Sequence, residues 1–285
     1  MNKIVKFLVT EFLFNGHLQS LGSAGIVFIS GYLINGYPPS ILVLLLIYIT
    51  FEMVFIFDRF RGFKKDQAGN PERTSHLKSY YHKIPLILGI MFLLWIILIF
   101  SIENIYSGLM IILLLIFGLL YPIYFKPLTK YVFMFKNFYV AGVYFILAFY
   151  PVLHFQTGAS LVILLVATKA LLENIFSQAI LDTKDIVSDK KDGLKTLAAL
   201  YGFDTTLNVI TLLSVISGVV ILLIVMALQL HPILYLLILV DLIINVVVYL
   251  WYKKSFKPKM VPLLLSAGKC FIWLCVSVVF ALILS

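Results

Sequence analysis

Four aspartates, Asp182, Asp185, Asp189 and Asp192, follow one another at intervals of three, four and three. On one continuous helix that spacing stacks the carboxylates along a single face, and counting back by fours adds Gln178 and Asn174 to the stripe. The sequence therefore predicts a polar seam running from a helix end back into an apolar span. A second acidic set, Asp58, Asp66 and Glu72, lies earlier, and the two sets together hold seven of the thirteen acids in the chain. Four carboxylates at the C-terminal end of a helix are repelled by its macrodipole unless cations are bound there. Hard oxygen donors without Cys or His suit Mg2+, which takes one or two carboxylates and completes its octahedron with phosphate oxygens and water. The ligand implied is a diphosphate. Bases are interleaved with the acids: Arg59, Arg61, Lys64, Lys65 and Arg73 beside the first set, Lys126 and Lys130 between the sets, and Lys184, Lys190, Lys191 and Lys195 around the second. Arg suits bidentate phosphate contact and Lys supplies point charge. Most of these lysines serve as positive-inside signals or headgroup contacts, and those beside the Asp sets are the phosphate candidates.

The elements that must position these residues are set by composition. Of 285 residues, 62% are hydrophobic and 12% charged, with a mean hydropathy of +1.07. An ordinary soluble domain carries about 25% charged residues, so a soluble globule is excluded. Cut at its polar interruptions, the chain yields nine apolar segments long enough for a bilayer core, at about 18–35, 40–57, 84–101, 106–123, 138–154, 159–181, 206–229, 232–251 and 261–284. Glu11, Asn15 and His17 precede the first span, which argues against a cleaved signal. The expected fold is all-α, a polytopic membrane helix bundle forming one domain over 1–285. Of the 22 Lys and Arg, 20 fall in alternate gaps between spans, and the gaps around Pro38, Glu103, Gln156 and His231 hold none. The positive-inside rule then places the N-terminus and the charged loops in the cytoplasm and the C-terminus on the opposite side. That accounts for the net charge of +9 without nucleic acid as a partner. Cys270 and Cys275 lie in an apolar run, which excludes a disulfide framework and a zinc module.

With these spans in place the residues resemble the UbiA superfamily of intramembrane prenyltransferases. The stretch Asp182-Thr-Lys-Asp185-Ile-Val-Ser-Asp189-Lys-Lys-Asp-Gly193-Leu-Lys195-Thr196-Leu is similar to that family's DxxDxxxD motif followed by Gly-Leu-Lys-Thr-Leu. Tyr121-Pro-Ile-Tyr-Phe-Lys126 and Lys136-Asn137 resemble its basic Tyr-Pro and Lys-Asn stretch. The first motif departs from the family pattern, NDxxDxxxD followed by Arg-Pro: here stand Asp58, Arg59, Gly62 and Asp66, then Asn70-Pro71-Glu72-Arg73. If Asp66 matches the last acid, Arg59 and Gly62 occupy the places of two carboxylates; alternatively Asp58 is the first Asp and the loop is one residue longer. The resemblance implies Mg2+-dependent transfer of a polyprenyl group from an allylic prenyl diphosphate to an aromatic or other lipophilic acceptor within the bilayer. It implies Asp58, Asp66, Asp185 and Asp189 as metal-binding catalytic residues. Arg59, Arg73, Tyr121, Lys126, Asn174, Asp182 and Lys195 are the implied substrate contacts.

Three other classes compete with this reading. A transporter would use the intramembrane Lys169, Glu173 and Asp241, but that leaves the clustered loop acids unexplained. A non-catalytic prenyl-diphosphate binder accommodates the altered first motif. An enzyme moving phospho-alcohol groups between lipids needs a long Asp-Gly-Ala-Arg signature that the sequence lacks. Lys169 and Glu173, one turn apart, are expected to neutralise each other, while Lys269 is expected to snorkel to the cytoplasmic edge. Asp241 and Asn245 read as structural. The five histidines read as interface residues, and the glycines at 22, 25 and 31 as helix-packing positions.

Overall fold

The computed structural model describes residues 7, 10–12, 14–69, 71–255 and 265–284, and among them there is no strand. The main helices are α1 (His17–Asn35), α2 (Ile41–Gly69), α3 (Pro71–Lys78), α4 (Ile84–Ile102), α5 (Ile105–Leu120), α6 (Phe135–Leu147), α7 (Tyr150–His154), α8 (Leu161–Asp182), α9 (Ile186–Lys191), α10 (Leu197–Ala227), α11 (Pro232–Ser255) and α12 (Lys269–Leu284). Local chemistry sets several of the starts. The Asn104, Ser160 and Thr196 side chains accept backbone N–H groups at the first turns of α5, α8 and α10, which satisfies donors that no earlier turn can reach. Pro151 opens α7, so the span expected as 138–154 is two helices meeting at Ala148 and Phe149. Helix α10 begins earlier than its apolar run because Thr196 caps it and a bend at Gly202, φ 83°, lets it turn into the bundle.

Among the described residues eight helical segments are long and apolar enough to cross a membrane, and Lys269–Ile283 is a shorter apolar helix. The chain is an integral multi-pass membrane protein. The last of the nine expected spans begins at 261, and 261–264 lie outside the described residues. Around the bundle α1 packs on α2, α2 on α4 and α5, α5 on α7, α6 on α8, α8 on α10, α10 on α11, and α11 on α12, which returns to α1. At that closing contact a Cβ on Gly25 would stand 2.6 Å from the Cys270 carbonyl oxygen, so glycine there permits backbone approach, as the sequence suggested.

The structure overturns two expectations. Lys269 does not snorkel; it is 3% exposed, and its ammonium meets Glu173 at 2.7 Å and Asn245. Lys169 pairs with Glu173 and lies 2.9 Å from Asp241, whose other oxygen accepts from Trp273 Nε1 at 2.8 Å. Two cations and two anions from α8, α11 and α12 thus neutralise one another inside the bundle. The straight polar seam is the second casualty. Helix α8 stops at Asp182, a tight turn spans Thr183–Asp185, and α9 sets off afresh. The four aspartates are therefore carried by two helices, the turn between them and the residue after α9, not by one continuous helix.

Candidate functional site

The bend after α8 sorts the second acid set into different environments. Asp182 and Asp189 come together on one cation: Lys136 Nζ lies 3.0 Å from Asp182 Oδ1 and 2.9 Å from Asp189 Oδ2. Asn137 Nδ2 donates to the other Asp182 oxygen at 2.9 Å, and Thr196 Oγ1 donates to Asp189 Oδ2 at 3.2 Å. Both carboxylates are buried and therefore need this pairing. Asp185 is more open, with 25% of its side chain exposed and Lys184 at 3.6 Å. Asp192 lies just beyond α9.

Backbone geometry holds Lys136 in place. Met134 takes a left-handed φ of 53° directly before α6. Its N–H donates to the Lys195 carbonyl at 2.8 Å, while the Lys195 N–H donates to the Thr129 carbonyl at 2.9 Å. The Lys136 N–H donates to Thr129 Oγ1 at 3.1 Å. The loop before α6 and the Gly-Leu-Lys-Thr stretch are thereby stitched together.

The first acid set enters from α2. Asp58 faces Lys126 at 3.6 Å, and 32% of its side chain is exposed. Tyr121 lies within electrostatic reach of Asp58, Asp182 and Asp189, which places it between the two sets. Arg73 and Arg59 are both close enough to be felt at the Lys184 ammonium, so loops distant in sequence meet at this mouth. Arg59 also has a structural contact: its Nη1 donates to the Asn15 carbonyl at 2.7 Å and its guanidinium lies over the Phe55 ring. Asp66 falls within α2, but its side chain, like that of Glu72, lies outside the described residues.

From Asp58 and Tyr121 a cavity runs into the bundle between α2, α5 and α6. Its walls include Val54, Leu114, Val140 and Val143, and Tyr121 stacks on Tyr139 with ring centroids 5.2 Å apart. Thr50 lines it eight residues before Asp58, two helical turns deeper, and accepts a hydrogen bond from Trp95 Nε1 at 2.9 Å. Gly118 lets α5 approach α2: a Cβ there would fall 2.4 Å from Val54 Cγ2. The site is therefore a charged mouth above a nearly apolar tunnel, suited to a ligand with an anionic head and a hydrocarbon tail.

Other sequence candidates lie elsewhere. Asn174 is buried against α12, donating to the Ala170 carbonyl at 2.9 Å and meeting Cys270 Sγ at 3.8 Å. The Lys195 side chain is exposed and donates to the Tyr131 carbonyl at 3.2 Å; its backbone, more than its ammonium, shapes the site. Lys136 and Asn137 stood only in the motif resemblance, and sequence reasoning gave neither a site role. A lysine opening an apolar span was the signal. Three histidines expected at interfaces have carboxylate partners: His17 with Glu52 at 3.2 Å, His76 with Glu11 at 2.6 Å and His154 with Glu103 at 3.1 Å.

Among the described residues no three His, Cys, Asp or Glu side chains converge as a ready metal cage. Asp58 and Asp185 are hard oxygen donors with solvent access, and Asn137 Oδ1 is buried beside Asp182 with no hydrogen-bond partner. Such a donor set fits Mg2+ when a ligand brings phosphate oxygens to complete the shell.

No family model matches the sequence, and no curated protein matches it. Solved structures do. A UbiA homologue from Aeropyrum pernix K1 superposes with a TM-score of 0.70 at 14% identity, over 93% of this chain and 98% of that one. A UbiA homologue from Archaeoglobus fulgidus bound to GPP and Mg2+ gives 0.67 at 12% identity, over 95% and 98%. A digeranylgeranylglyceryl phosphate synthase gives 0.55 at 18% identity, over 98% of each chain. At these identities the likeness is one of fold: the chain is built as a UbiA-type helix bundle.

Proposed function

We propose that this chain, with its UbiA fold, is a single-domain intramembrane prenyltransferase of the UbiA superfamily. It moves a polyprenyl group from an allylic prenyl diphosphate to an aromatic or other lipophilic acceptor, with Mg2+ as cofactor. The observation that carries this reading is the continuity of the Asp- and Lys-lined mouth with the apolar cavity between α2, α5 and α6. Further support comes from the Archaeoglobus fulgidus homologue of the same fold, described as bound to GPP and Mg2+. Charge asymmetry places the mouth, the N-terminus and the charged loops on the cytoplasmic side and the C-terminus on the other.

The donor's diphosphate sits at the mouth and its tail lies in the cavity. Lys126, Lys184 and Arg73 bring positive charge to the phosphate oxygens. Asp58 and Asp185 would hold Mg2+, which when bound neutralises charge on the departing diphosphate. As the bond between the allylic carbon and the diphosphate oxygen breaks, positive charge grows on that carbon. The stacked rings of Tyr121 and Tyr139 line the cavity next to Asp58, and an aromatic face stabilises a nearby cation by about 0.5–2 kcal/mol. The diphosphate leaves with the electrons of the broken bond, and the acceptor supplies the electron pair of the new bond to the allylic carbon and gives up its proton. Low solvent access along the Val54, Leu114, Val140 and Val143 walls keeps water from taking the acceptor's place.

The transporter alternative is weakened because Lys169, Glu173, Asp241 and Lys269 spend their charges on one another. The test is diphosphate release by the purified protein in lipid. Geranyl, farnesyl and geranylgeranyl diphosphates would be supplied with a pooled acceptor panel, with and without Mg2+, beside Asp185→Asn. Release that requires both Mg2+ and Asp185 is expected. Release unchanged in Asp185→Asn, or no binding of any donor, would refute the proposal.

A further inference from the structure

We infer that Lys136 is a built-in cation that takes the place of one divalent ion at the second acid cluster and offers its remaining N–H to the donor's diphosphate. The inference rests on the prenyl-diphosphate reading above and deepens it by specifying the charge that the site itself brings to its substrate.

The geometry is that of a metal bridge with an ammonium at its centre. Asp182 comes from the end of α8 and Asp189 from α9, and their facing oxygens, Oδ1 and Oδ2, converge on one point. Two carboxylates so arranged are a sufficient protein contribution for Mg2+, whose oxygen ligands stand at about 2.0–2.1 Å. The point is filled by Nζ of Lys136 at 3.0 and 2.9 Å. An ammonium and a divalent ion cannot share it. The other Asp182 oxygen accepts from Asn137 Nδ2 at 2.9 Å, which fixes the carboxylate's orientation toward Lys136.

Two features make the ammonium a resident. Only 12% of the Lys136 side chain is exposed, so leaving the acids would strand a charge with little water to receive it. Its backbone is pinned as well, through the left-handed Met134 and the hydrogen bonds from Met134, Lys195 and Lys136 to Lys195, Thr129 and Thr129. A lysine carries three N–H donors, and two of them are used here. The third remains for a ligand oxygen. Tyr139, one turn after Lys136 on α6, lines the head of the tail cavity and stacks on Tyr121, so the helix that carries this donor also forms the cavity wall.

Charge compensation follows the same logic across the site. Four of the site's aspartates, Asp58, Asp182, Asp185 and Asp189, are met within 3.6 Å by three lysines, Lys126, Lys136 and Lys184. A site already supplied with tethered cations needs fewer free ones.

The test counts ions directly. The full-length protein in lipid nanodiscs would be titrated with Mn2+ in the presence of geranyl S-thiolodiphosphate, a donor analogue that does not turn over, and bound Mn2+ measured by electron paramagnetic resonance. One Mn2+ per chain is expected for the wild type and for Lys136→Arg, and two for Lys136→Met, where the freed carboxylates take up a second ion. Asp189→Asn keeps the shape of the site and is expected to leave the count at one. It decides the matter even if Lys136→Met does not fold. Two Mn2+ in the wild type, or loss of one in Asp189→Asn, would overturn the inference while leaving the prenyltransferase reading intact. Wild-type protein that binds neither analogue nor Mn2+ would overturn both.

Discussion

Replacing Lys269 with methionine tests whether the buried charges of α8, α11 and α12 act as one neutral unit. Lys169, Lys269, Glu173 and Asp241 sum to zero charge, and all four side chains are at most 7% exposed. Lys269→Met leaves a net negative charge among them while nearly conserving volume. Removing one partner of a buried ion pair costs about 3–5 kcal/mol. Placing a lone charged residue at a helix centre in a membrane costs about 2.5–3.5 kcal/mol. Both scales point to a loss of about 3 kcal/mol or more, roughly 150-fold in the folding equilibrium. The double variant Glu173→Gln/Lys269→Met restores neutrality, with Lys169 and Asp241 still 2.9 Å apart. It is expected to be more stable than Lys269→Met by at least about 1 kcal/mol, because interacting sites are not additive. Unfolding in mixed micelles by increasing dodecyl sulfate would report both, and Trp273, bonded to Asp241, supplies a local fluorescence signal. A single variant within about 1 kcal/mol of wild type, or a double variant less stable than the single, would refute the idea that neutrality holds these helices together.

Gly118→Ala places a Cβ 2.4 Å from Val54 Cγ2. Overpacking of this kind is expected to cost about 1–3 kcal/mol and to weaken binding of a prenyl diphosphate analogue; Val54→Ala in the same chain should restore binding, and a variant that binds normally would show that the α2–α5 contact does not shape the cavity. Glu11 gives a pH signature. Burial pushes its carboxyl up, but contacts from His17, His76, Tyr80 and Asn15 outweigh that and hold it down to about 2, from an ordinary 4.5. A depressed carboxylate contributes its stability above the unfolded value and loses it as pH falls through the folded one. Melting temperature should therefore fall less between pH 4.5 and 2 in Glu11→Gln than in wild type, and identical slopes would refute the assignment. Lys195→Gln is expected to leave analogue affinity within about twofold, since the ammonium rests on the Tyr131 carbonyl at 3.2 Å and only the backbone joins Thr129 and Met134. A tenfold loss would return the ammonium to the diphosphate site.

The sequence by itself determined the class of molecule. Long apolar runs can be satisfied only in lipid, and lipid admits helices because every backbone group must find its partner within the segment. The same logic made the spans at α1, α4 and α5 readable to within a few residues, whereas α2 runs on to Gly69, past the expected end at 57. Asp58, Tyr121, Lys126 and Asp185 were legible too, because charged and aromatic residues at the ends of apolar spans have few structural reasons to be there. Tertiary structure decided which acids meet which cations. Asp182 and Asp189, seven residues apart, meet on Lys136 across a tight turn at Thr183–Asp185, and neither residue type nor spacing marks that turn. Lys136 reaches them from another helix, 46 residues before Asp182 in the chain. Lys269 looked free to reach the membrane edge, yet Glu173 holds it 96 residues away in sequence. Periodicity reports what a segment turns toward its surroundings, whereas partnership between distant charges is set by how helices pack, and packing is a property of the whole bundle.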